Sequence, residues 1–298
     1  MSNRQRYLCI FLLLSLSACS PDATPLQSST PIPPTSTPMA TSTPSATSTD
    51  TPTSTPVPSG PCDNPLVPLV TGSTWEYRVT GSGEPAPFTL KALEQQEKGN
   101  LTIGVEIIDH KNARDIQEQV ICQAGVIVNF PLYLLSMFLV DHLKGILNTY
   151  HVNESASSAP GYATFQAGDW SHAWEPQYLL EEKVFMKNPL GGDDLYVPFS
   201  TQVDLFFRAE GQFESVEVPA GSYPQALVVK ADYHLPVTVF QGGAGNTGSV
   251  DIYTTQWYVP FLGLVRAQVD TVTLSYYGQV YSAPITSLVE LISFTPGP

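Results

Sequence analysis

Residues 20 to 61 consist almost only of Ser, Thr and Pro with a few Ala, and this composition limits where the chain can fold. The stretch has no Lys or Arg, and its acidic residues are Asp22 and Asp50. With almost no large apolar side chains to bury, nothing offsets the entropy lost on ordering, and frequent Pro favours extended segments. We therefore expect a disordered tether here and a folded domain over residues 62 to 298.

The segment before the tether has the features of a cleavable export signal. Arg4 and Arg6 precede an apolar run, Leu8 to Leu16, that is too short to span a bilayer as a permanent helix. Leu16-Ser17-Ala18-Cys19 follows and resembles the lipobox of bacterial lipoproteins, a motif of small residues ending in an obligatory Cys. An ordinary secretory signal with a Cys by chance is the alternative.

The lipobox resemblance implies that residues 1 to 18 are removed and that the thiol of Cys19 carries diacylglycerol, with a further acyl chain such as palmitate on the new amino terminus. Two or three acyl chains anchor a protein stably, whereas one does not. We therefore expect a mature chain that is lipid-anchored in the cell envelope on its extracytoplasmic face, with residues 19 to 61 forming the anchor and tether.

Two cysteines remain in the predicted folded domain, Cys62 and Cys122. An exported protein meets an oxidising environment, and the sequence has no CxxC or Cys/His spacing that would favour a metal site instead. We predict a disulfide between them, which would stabilise the fold by roughly 4 kcal/mol in the chain-entropy description. Two buried free thiols are the alternative.

The net charge of the chain limits the classes of partner that it can bind. The formal net charge is −14, and removal of Arg4 and Arg6 with the signal makes the mature chain more negative still. Such a field repels nucleic acid and offers no basic patch to anionic lipid, so we expect neither as a partner of the folded domain. The acidity needs no partner to explain it, since excess carboxylate keeps a surface soluble.

The folded part is rich in Tyr, Phe, Val and Thr and poor in charge, which favours sheet over helix. Alternating or β-branched runs predict strands at Trp75–Val79, Leu101–Ile108, Val203–Arg208, Phe213–Glu217, Ala226–Tyr233, Val250–Val259 and Leu264–Tyr276. Turns are predicted at residues 81–83, 98–100, 191–194 and 242–246, and a tight hairpin at Val218-Pro219-Ala220-Gly221. The fold class is therefore mainly β, an antiparallel curved sheet or half-barrel.

One segment, about residues 131 to 147, has helical spacing instead. Asn129 and Pro131 can start a helix, and apolar residues then follow around much of its circumference. We expect this helix either to fill the open face of the sheet or to line a site for an apolar ligand. In the second case the ligand-binding residues would be Leu135, Phe138, Leu139, Trp174 and Trp257. The run is too short for a membrane span.

Three segments carry a further resemblance. They are Pro68–Tyr77, Val216–Tyr223 and Trp257–Arg266, and together they look like uncharacterised exported bacterial lipoproteins. The resemblance implies an antiparallel β fold akin to the half-barrels of lipoprotein carriers. It carries no catalytic residue with it, because its motifs are turns and aromatic strand starts. The lipid anchor and long tether depart from the carriers and argue against a shuttling role.

The sequence offers no recognisable catalytic constellation. The His residues at 110, 142, 151, 172 and 234 lack the paired spacing of zinc sites, and no nucleophile elbow, Walker loop or dinucleotide-binding glycine pattern occurs. Asp193 and Asp194 are too close together for a calcium loop and are typical of a solvated turn. We therefore expect no catalytic residue, no metal and no cofactor. The aromatic residues could form a carbohydrate or apolar ligand platform, or could be core and cross-strand pairs.

These observations predict a non-enzymatic, membrane-anchored lipoprotein that binds an apolar ligand or an envelope protein. A structural or interaction module with a filled core is the alternative, and a hydrolase is the least favoured reading.

Overall fold

The structure is a computed structural model that describes residues 64–298 except for a set of short gaps. The gaps are residues 82–85, 99, 110–113, 124–125, 128–129, 139–149, 153–158, 160–163, 166–167, 181–183, 187, 189, 194, 198–200 and 242–243. The predicted signal, the lipidation site Cys19, the tether and Cys62 lie outside the described residues, and the predictions made for them stay predictions.

The described residues form sixteen strands and one short helix. The strands are β1 (Thr74–Thr80), β2 (Ala86–Lys98), β3 (Asn100–Asp109), β4 (Arg114–Gln123), β5 (Val126–Ile127), β6 (Tyr150–Val152), β7 (Ser171–Trp174), β8 (Gln177–Leu180), β9 (Val184–Met186), β10 (Leu195–Val197), β11 (Thr201–Val218), β12 (Gly221–Gln241), β13 (Ala244–Val259), β14 (Gly263–Tyr276), β15 (Gln279–Ala283) and β16 (Leu288–Thr295). The helix α1 spans Tyr133–Phe138.

All sixteen strands belong to one antiparallel sheet. Its main path runs β5-β4-β3-β2-β1-β16-β14-β13-β12-β11-β8-β6, and β7, β9, β10 and β15 pair beside this path. The first and last strands of the domain, β1 and β16, pair directly along their whole length. Within the described residues the path does not return to its start, so the sheet is open rather than closed. The predicted mainly β, antiparallel fold is confirmed.

The hairpin between β11 and β12 confirms the turn predicted at Val218–Gly221. β11 ends at Val218, β12 begins at Gly221, and these two residues face each other across a two-residue turn. The turn predicted over residues 242–246 is wrong in its second half, because β13 already begins at Ala244 and pairs with Gln241. The ladder hydrogen bonds of this long hairpin offset the entropic cost of about 1 kcal/mol that Gly brings to a strand.

The four long strands β11 to β14 separate a core face from an outer face. On β12, Val229, Ala231 and Tyr233 are buried, whereas Lys230 and His234 between and beyond them are exposed. Successive side chains of a strand lie on opposite faces, so this alternation identifies the side of the sheet that covers the core. We call the side of Lys230 and His234 the outer face.

The segment from Phe130 to Phe138 packs in the buried core. Leu132, Leu134, Leu135, Met137 and Phe138 are each at most 2% exposed. The ring of Phe138 meets Tyr233 edge-on at 5.9 Å, and its carbonyl accepts a 3.0 Å hydrogen bond from Ser287 Oγ. The helix predicted over about residues 131 to 147 is described only as α1, since residues 139–149 lie in a gap, and its full length stays a prediction.

Candidate functional site

A cleft of about 400 Å³ opens on the outer face of β11 to β14. Its volume falls within the range of roughly 300–1,000 Å³ that is typical of small-molecule sites. Three strands supply most of its polar side chains and one supplies its aromatic residue. The lining residues are Glu210, Gln212, Glu214, Val228, Lys230, Thr255, Trp257, Gln268 and Asp270.

A wide bulge in β11 builds one wall of the cleft. Ala209 pairs with Val229 and Phe213 pairs with Leu227, so residues 210 to 212 of β11 all stand opposite the single residue Val228. Such a bulge bends the strand and increases its twist. Gly211 supplies the backbone conformation it needs, with φ of 70°, a region that side chains with a Cβ rarely adopt. Glu210 and Gln212 flank this glycine on the wall.

A second bulge, in β14, places Asp270 in the cleft. Thr254 of β13 pairs with Val269 and Tyr253 pairs with Thr271, so Asp270 is the extra residue between them. Its carboxylate Oδ2 accepts a 2.6 Å hydrogen bond from Thr255 Oγ1, and Thr255 in turn accepts one from Lys230 Nζ. Lys230 Nζ is also 3.7 Å from the same carboxylate oxygen. This chain of contacts holds an ammonium, a hydroxyl and a carboxylate side by side.

The floor of the cleft is shielded although it belongs to the outer face. Val228, Thr255 and Trp257 are 7%, 6% and 9% exposed, because the polar walls rise on both sides of them. Trp257 is fixed by two contacts. Its Nε1 donates a 2.8 Å hydrogen bond to Glu214 Oε2, and the guanidinium carbon of Arg266 lies 5.1 Å from the ring centroid. Both the polar edge and one face of the indole are therefore held by charged partners.

A ladder of alternating charge leads away from Trp257 across the sheet. Trp257 pairs with Arg266 of β14, Arg266 pairs with Glu290 of β16, and Glu290 pairs with Arg78 of β1. Arg78 Nη2 and Glu290 Oε2 are 2.8 Å apart. Cross-strand neighbours of opposite charge stabilise a sheet modestly, by about 0.2–1 kcal/mol for each pair.

The charges around the cleft balance. Three carboxylates line it, those of Glu210, Glu214 and Asp270. Three cations lie beside them. Lys230 is a lining residue, Arg266 lies over the ring of Trp257, and Arg208 Nε is 3.0 Å from Glu210 Oε1. Counted together with these contacting cations, the cleft of a chain of net charge −14 has three charges of each sign.

Charges continue on the outer face beside the cleft. Asp232 of β12 lies one row further along the sheet from the pair Lys230 and Arg208. Desolvation raises the pKa of the Asp232 carboxyl, Arg208 lowers it, and Asp251 raises it further. In the next row His234 Nδ1 and Asp251 Oδ1 are 2.5 Å apart.

The structure separates the residues that the sequence grouped as an apolar ligand site. Leu135, Phe138 and Trp174 are each 1% exposed and lie in the core. Trp174 stacks on Phe207 at 5.3 Å. Trp257 lies on the outer face, in the cleft, and Leu139 lies outside the described residues. The three core residues and Trp257 therefore do not share one site.

A buried polar cluster on the core face of β12 and β13 also takes no part in the cleft. Gln256 Nε2 donates to Tyr233 Oη at 2.9 Å and to Thr254 Oγ1 at 3.0 Å, and Gln256 Oε1 accepts from Tyr258 Oη at 2.7 Å. Gln256 is fully buried. With its hydrogen bonds made inside the core, this cluster stabilises one packing arrangement and offers no group to a ligand.

Cys122 is fully buried in β4. Its predicted partner, Cys62, lies outside the described residues, and the pairing stays a prediction. Asp193 is exposed in a turn, whereas Asp194 falls in a gap. Among the residues that the structure describes, no group of three or more His, Cys, Asp or Glu side chains could hold a metal ion. No helix within the described ranges is long and apolar enough to cross a membrane.

Sequence reasoning found Trp257 but not the residues that surround it. One signal was present: Gly211 interrupts the strand-like run from Val203 to Glu217, and an isolated Gly in a strand indicates a bulge. That signal predicts an irregularity in β11. It does not predict which side chains of β13 and β14 the irregularity would face.

Comparisons with known proteins add little to these observations. No protein-family model matches the chain, and no curated protein matches it. A solved structure from Bacteroides fragilis NCTC 9343, described as an exported protein with a YmcC-like fold, is similar at 12% identity and a TM-score of 0.44, over 78% of this chain and 99% of that one. A structure from Parabacteroides distasonis ATCC 8503, described as a lipoprotein, is similar at 14% identity and a TM-score of 0.42, over 78% and 100%. Likenesses this distant carry no argument here.

Proposed function

We propose that the chain is a lipid-anchored, non-enzymatic binding module of a bacterial cell envelope, and that it binds an envelope component through the outer-face cleft. One observation carries the proposal. The cleft is already formed, with Thr255 and Trp257 held by hydrogen bonds to Asp270 and Glu214. A site whose side chains are fixed before binding loses little entropy when a ligand arrives.

The core face supports the choice of the outer face. Leu135, Phe138 and Trp174 are almost fully buried, so an apolar ligand would have to displace packed side chains in order to reach them. Packed interiors resist such displacement because few voids remain in them. The apolar-ligand prediction thus draws no support from the described part of this face, whereas the predicted envelope partner has an accessible site.

The proposed cellular location of the module is inferred from the sequence. Lipidation at Cys19 and removal of residues 1 to 18 would bring the mature chain to the extracytoplasmic face of a membrane. A disulfide between Cys62 and Cys122 would be stable in that compartment. The pairing can be measured by alkylating the purified mature chain in denaturant, with and without prior reduction. We expect a gain in mass only after reduction. Free thiols that react without reduction would contradict it.

A purely structural module with a filled core is the second candidate. The burial of the apolar side chains described between Phe130 and Phe138 favours it, because a filled core needs no ligand. It differs from the binding module in one expectation: changes in the cleft would leave all interactions of the protein unaltered.

Co-sedimentation with isolated bacterial envelope fragments tests the proposal. The mature chain with Cys19→Ser is used, so that no acyl chain causes binding by itself. We expect it to sediment with the fragments, and expect the addition of Gln212→Ala and Gln268→Ala to abolish most of this binding. Gln225→Ala is the matched control, because Gln225 is an exposed glutamine of β12 that does not line the cleft.

Equal sedimentation of the cleft variant and the control would contradict the binding module and favour the structural one. Absence of sedimentation by the Cys19→Ser chain would do the same. Thermal unfolding of each variant shows whether the domain is intact, and both glutamines of the cleft are accessible enough that we expect little change.

A further inference from the structure

We propose that the ligand of the outer-face cleft is a neutral saccharide. This inference rests on the binding function proposed above and names the class of ligand that the site would take.

The charge balance favours a neutral ligand. Glu210 is paired with Arg208, Asp270 with Lys230, and Glu214 with the indole N–H of Trp257, whose ring carries Arg266. An anionic ligand would meet three carboxylates, and a cationic one would meet the ammonium of Lys230 and two nearby guanidinium groups. An anionic ligand would compete with these carboxylates for Arg208 and Lys230, and a cationic one would compete with Arg208 and Lys230 for the carboxylates. A ligand without charge leaves every pair in place.

The polar lining matches hydroxyl groups. Each sugar hydroxyl both donates and accepts a hydrogen bond, so a site for sugars needs donors and acceptors interleaved. The amides of Gln212 and Gln268 supply both, on opposite sides of the cleft, since Gln212 belongs to β11 and Gln268 to β14. Gln212 Nε2 donates a long 3.5 Å hydrogen bond to Glu210, and the other contacts of the three carboxylates come from Arg208, Lys230, Thr255 and Trp257. An ionised carboxylate has about four acceptor positions, so each can accept further hydrogen bonds.

The floor of the cleft adds an apolar element. Val228 and Trp257 are neighbours across β12 and β13 and lie between the polar walls. The C–H faces of a sugar ring are apolar, so a ring bound between the walls would cover the small exposed parts of Val228 and Trp257, while its hydroxyls reach the amides and carboxylates. Such a combination of a few placed polar groups with apolar surface is usual in small-molecule sites.

Other ligand classes fit less well. A metal ion needs a cluster of ligating side chains, and the described residues contain no such group. An apolar ligand would bury the ammonium of Lys230 and the carboxylate of Asp270 without new partners, which is costly. A neutral ligand that carries many hydroxyls is the class that satisfies both the charge balance and the mixed lining.

The test uses the mature chain with Cys19→Ser and four neutral tetrasaccharides: cellotetraose, maltotetraose, mannotetraose and chitotetraose. Calorimetry measures the affinity, and the indole N–H resonance of Trp257 reports where binding occurs. The variant Trp257→Phe assigns that resonance among those of the chain's four Trp residues. We expect at least one tetrasaccharide to bind saturably and to shift the Trp257 signal.

Variants and a charged analogue sharpen the result. Gln212→Ala and Gln268→Ala should each weaken binding by about fivefold, the loss of one ordinary hydrogen bond, whereas Gln225→Ala should not. The deacetylated, cationic form of chitotetraose and the anionic tetragalacturonate should bind more weakly than the neutral sugars.

Three results would overturn the saccharide assignment: no binding by any of the four neutral sugars, tighter binding of a charged analogue, or binding that the cleft variants leave unchanged. Its failure can be told from failure of the proposed function. If envelope fragments still bind through the cleft while the neutral sugars do not, the binding module stands and the ligand class is wrong. If the fragments bind without the cleft, both proposals fail.

Discussion

Trp174 and Trp257 show how differently one residue type is used on the two faces of the sheet. Trp174 lies in the core, stacked on Phe207 with an angle of 5° between the rings, and the described residues offer no acceptor to its Nε1. Trp257 lies on the outer face, where its Nε1 donates to Glu214 and its ring contacts Arg266. The first is held by packing and the second by polar contacts.

An aromatic residue in a strand therefore says little about binding until the face of the sheet on which it lies is known. Both tryptophans are less than one-tenth exposed, so burial alone does not separate them. Their polar contacts do separate them. The indole N–H of Trp257 donates to a carboxylate in an open cleft, whereas the indole of Trp174 is stacked among apolar rings in the core.

Truncation of Trp174 is expected to have the largest effect. Trp174→Ala removes a ring packed against Phe207 and Phe130 and leaves a cavity, which should lower the free energy of unfolding by about 3–5 kcal/mol. Trp257→Ala should cost less, because its ring borders a cleft that solvent can enter. Urea denaturation of the two variants measures both values. Equal losses would break the distinction between the faces.

Trp174→Phe separates packing from the unpaired N–H. Phe fills most of the space and has no polar atom, so we expect this variant to recover more than half of the stability lost in Trp174→Ala. A loss as large as that of the Ala variant would mean that the indole N–H has a partner.

Two glutamines give a second, smaller contrast. Gln256 is fully buried on the core face and bonds to Tyr233 and Tyr258, whereas Gln268 lies in the cleft. Gln256→Ala removes buried hydrogen bonds to Tyr233 and Tyr258 and should cost about 2–3 kcal/mol. Gln268→Ala should change stability by less than about 0.5 kcal/mol, as is usual for surface positions. Thermal or urea unfolding measures both, and a reversal of the order would refute the assignment of faces.

The sequence predicted those parts of the fold that depend on local pattern. The Val218–Gly221 hairpin has a turn-forming Pro and Gly between two alternating runs, and the structure places the turn there. The cleft could not be predicted, because it arises where three residues of β11 face one residue of β12, and register between strands is a tertiary property.

The sequence also did not show on which face of the sheet Trp257 lies. Residues 254 to 258 of β13 are all buried, so no alternation of polar and apolar residues shows which of them lie on the core side. The bulge at Asp270, which has no cross-strand partner on β13, then decides which residues of β14 lie opposite residues 254 to 258. Local patterns fix the faces of a strand only where one face is wet.

Gly211 lies in the β11 bulge that forms one wall of the cleft, so its substitution should act mainly on the cleft. With φ of 70°, Gly211→Ala is strained by about 1–2 kcal/mol, and relief of the strain would pull Glu210 and Gln212 out of position. Gly211→Asn should cost less, because Asn tolerates this region better. Envelope co-sedimentation and unfolding are measured together. Full binding by the Ala variant would show that the bulge does not shape the cleft.

The smallest expected effect concerns the charge of Asp232, beside the cleft on the outer face. Its pKa is raised, chiefly by desolvation, so the folded state binds the proton more tightly than the unfolded chain, whose Asp titrates at about 3.9. Stability contributed by this residue therefore falls as pH rises from the unfolded pKa through the raised folded pKa, and the penalty is constant above that. Asp232→Asn should remove the penalty, raising the melting temperature slightly at pH 7 and not at pH 3. The gain stays small because the carboxylate is only partly buried and Arg208 attracts it. An equal gain at both pH values would show that the substitution acts through packing rather than through charge.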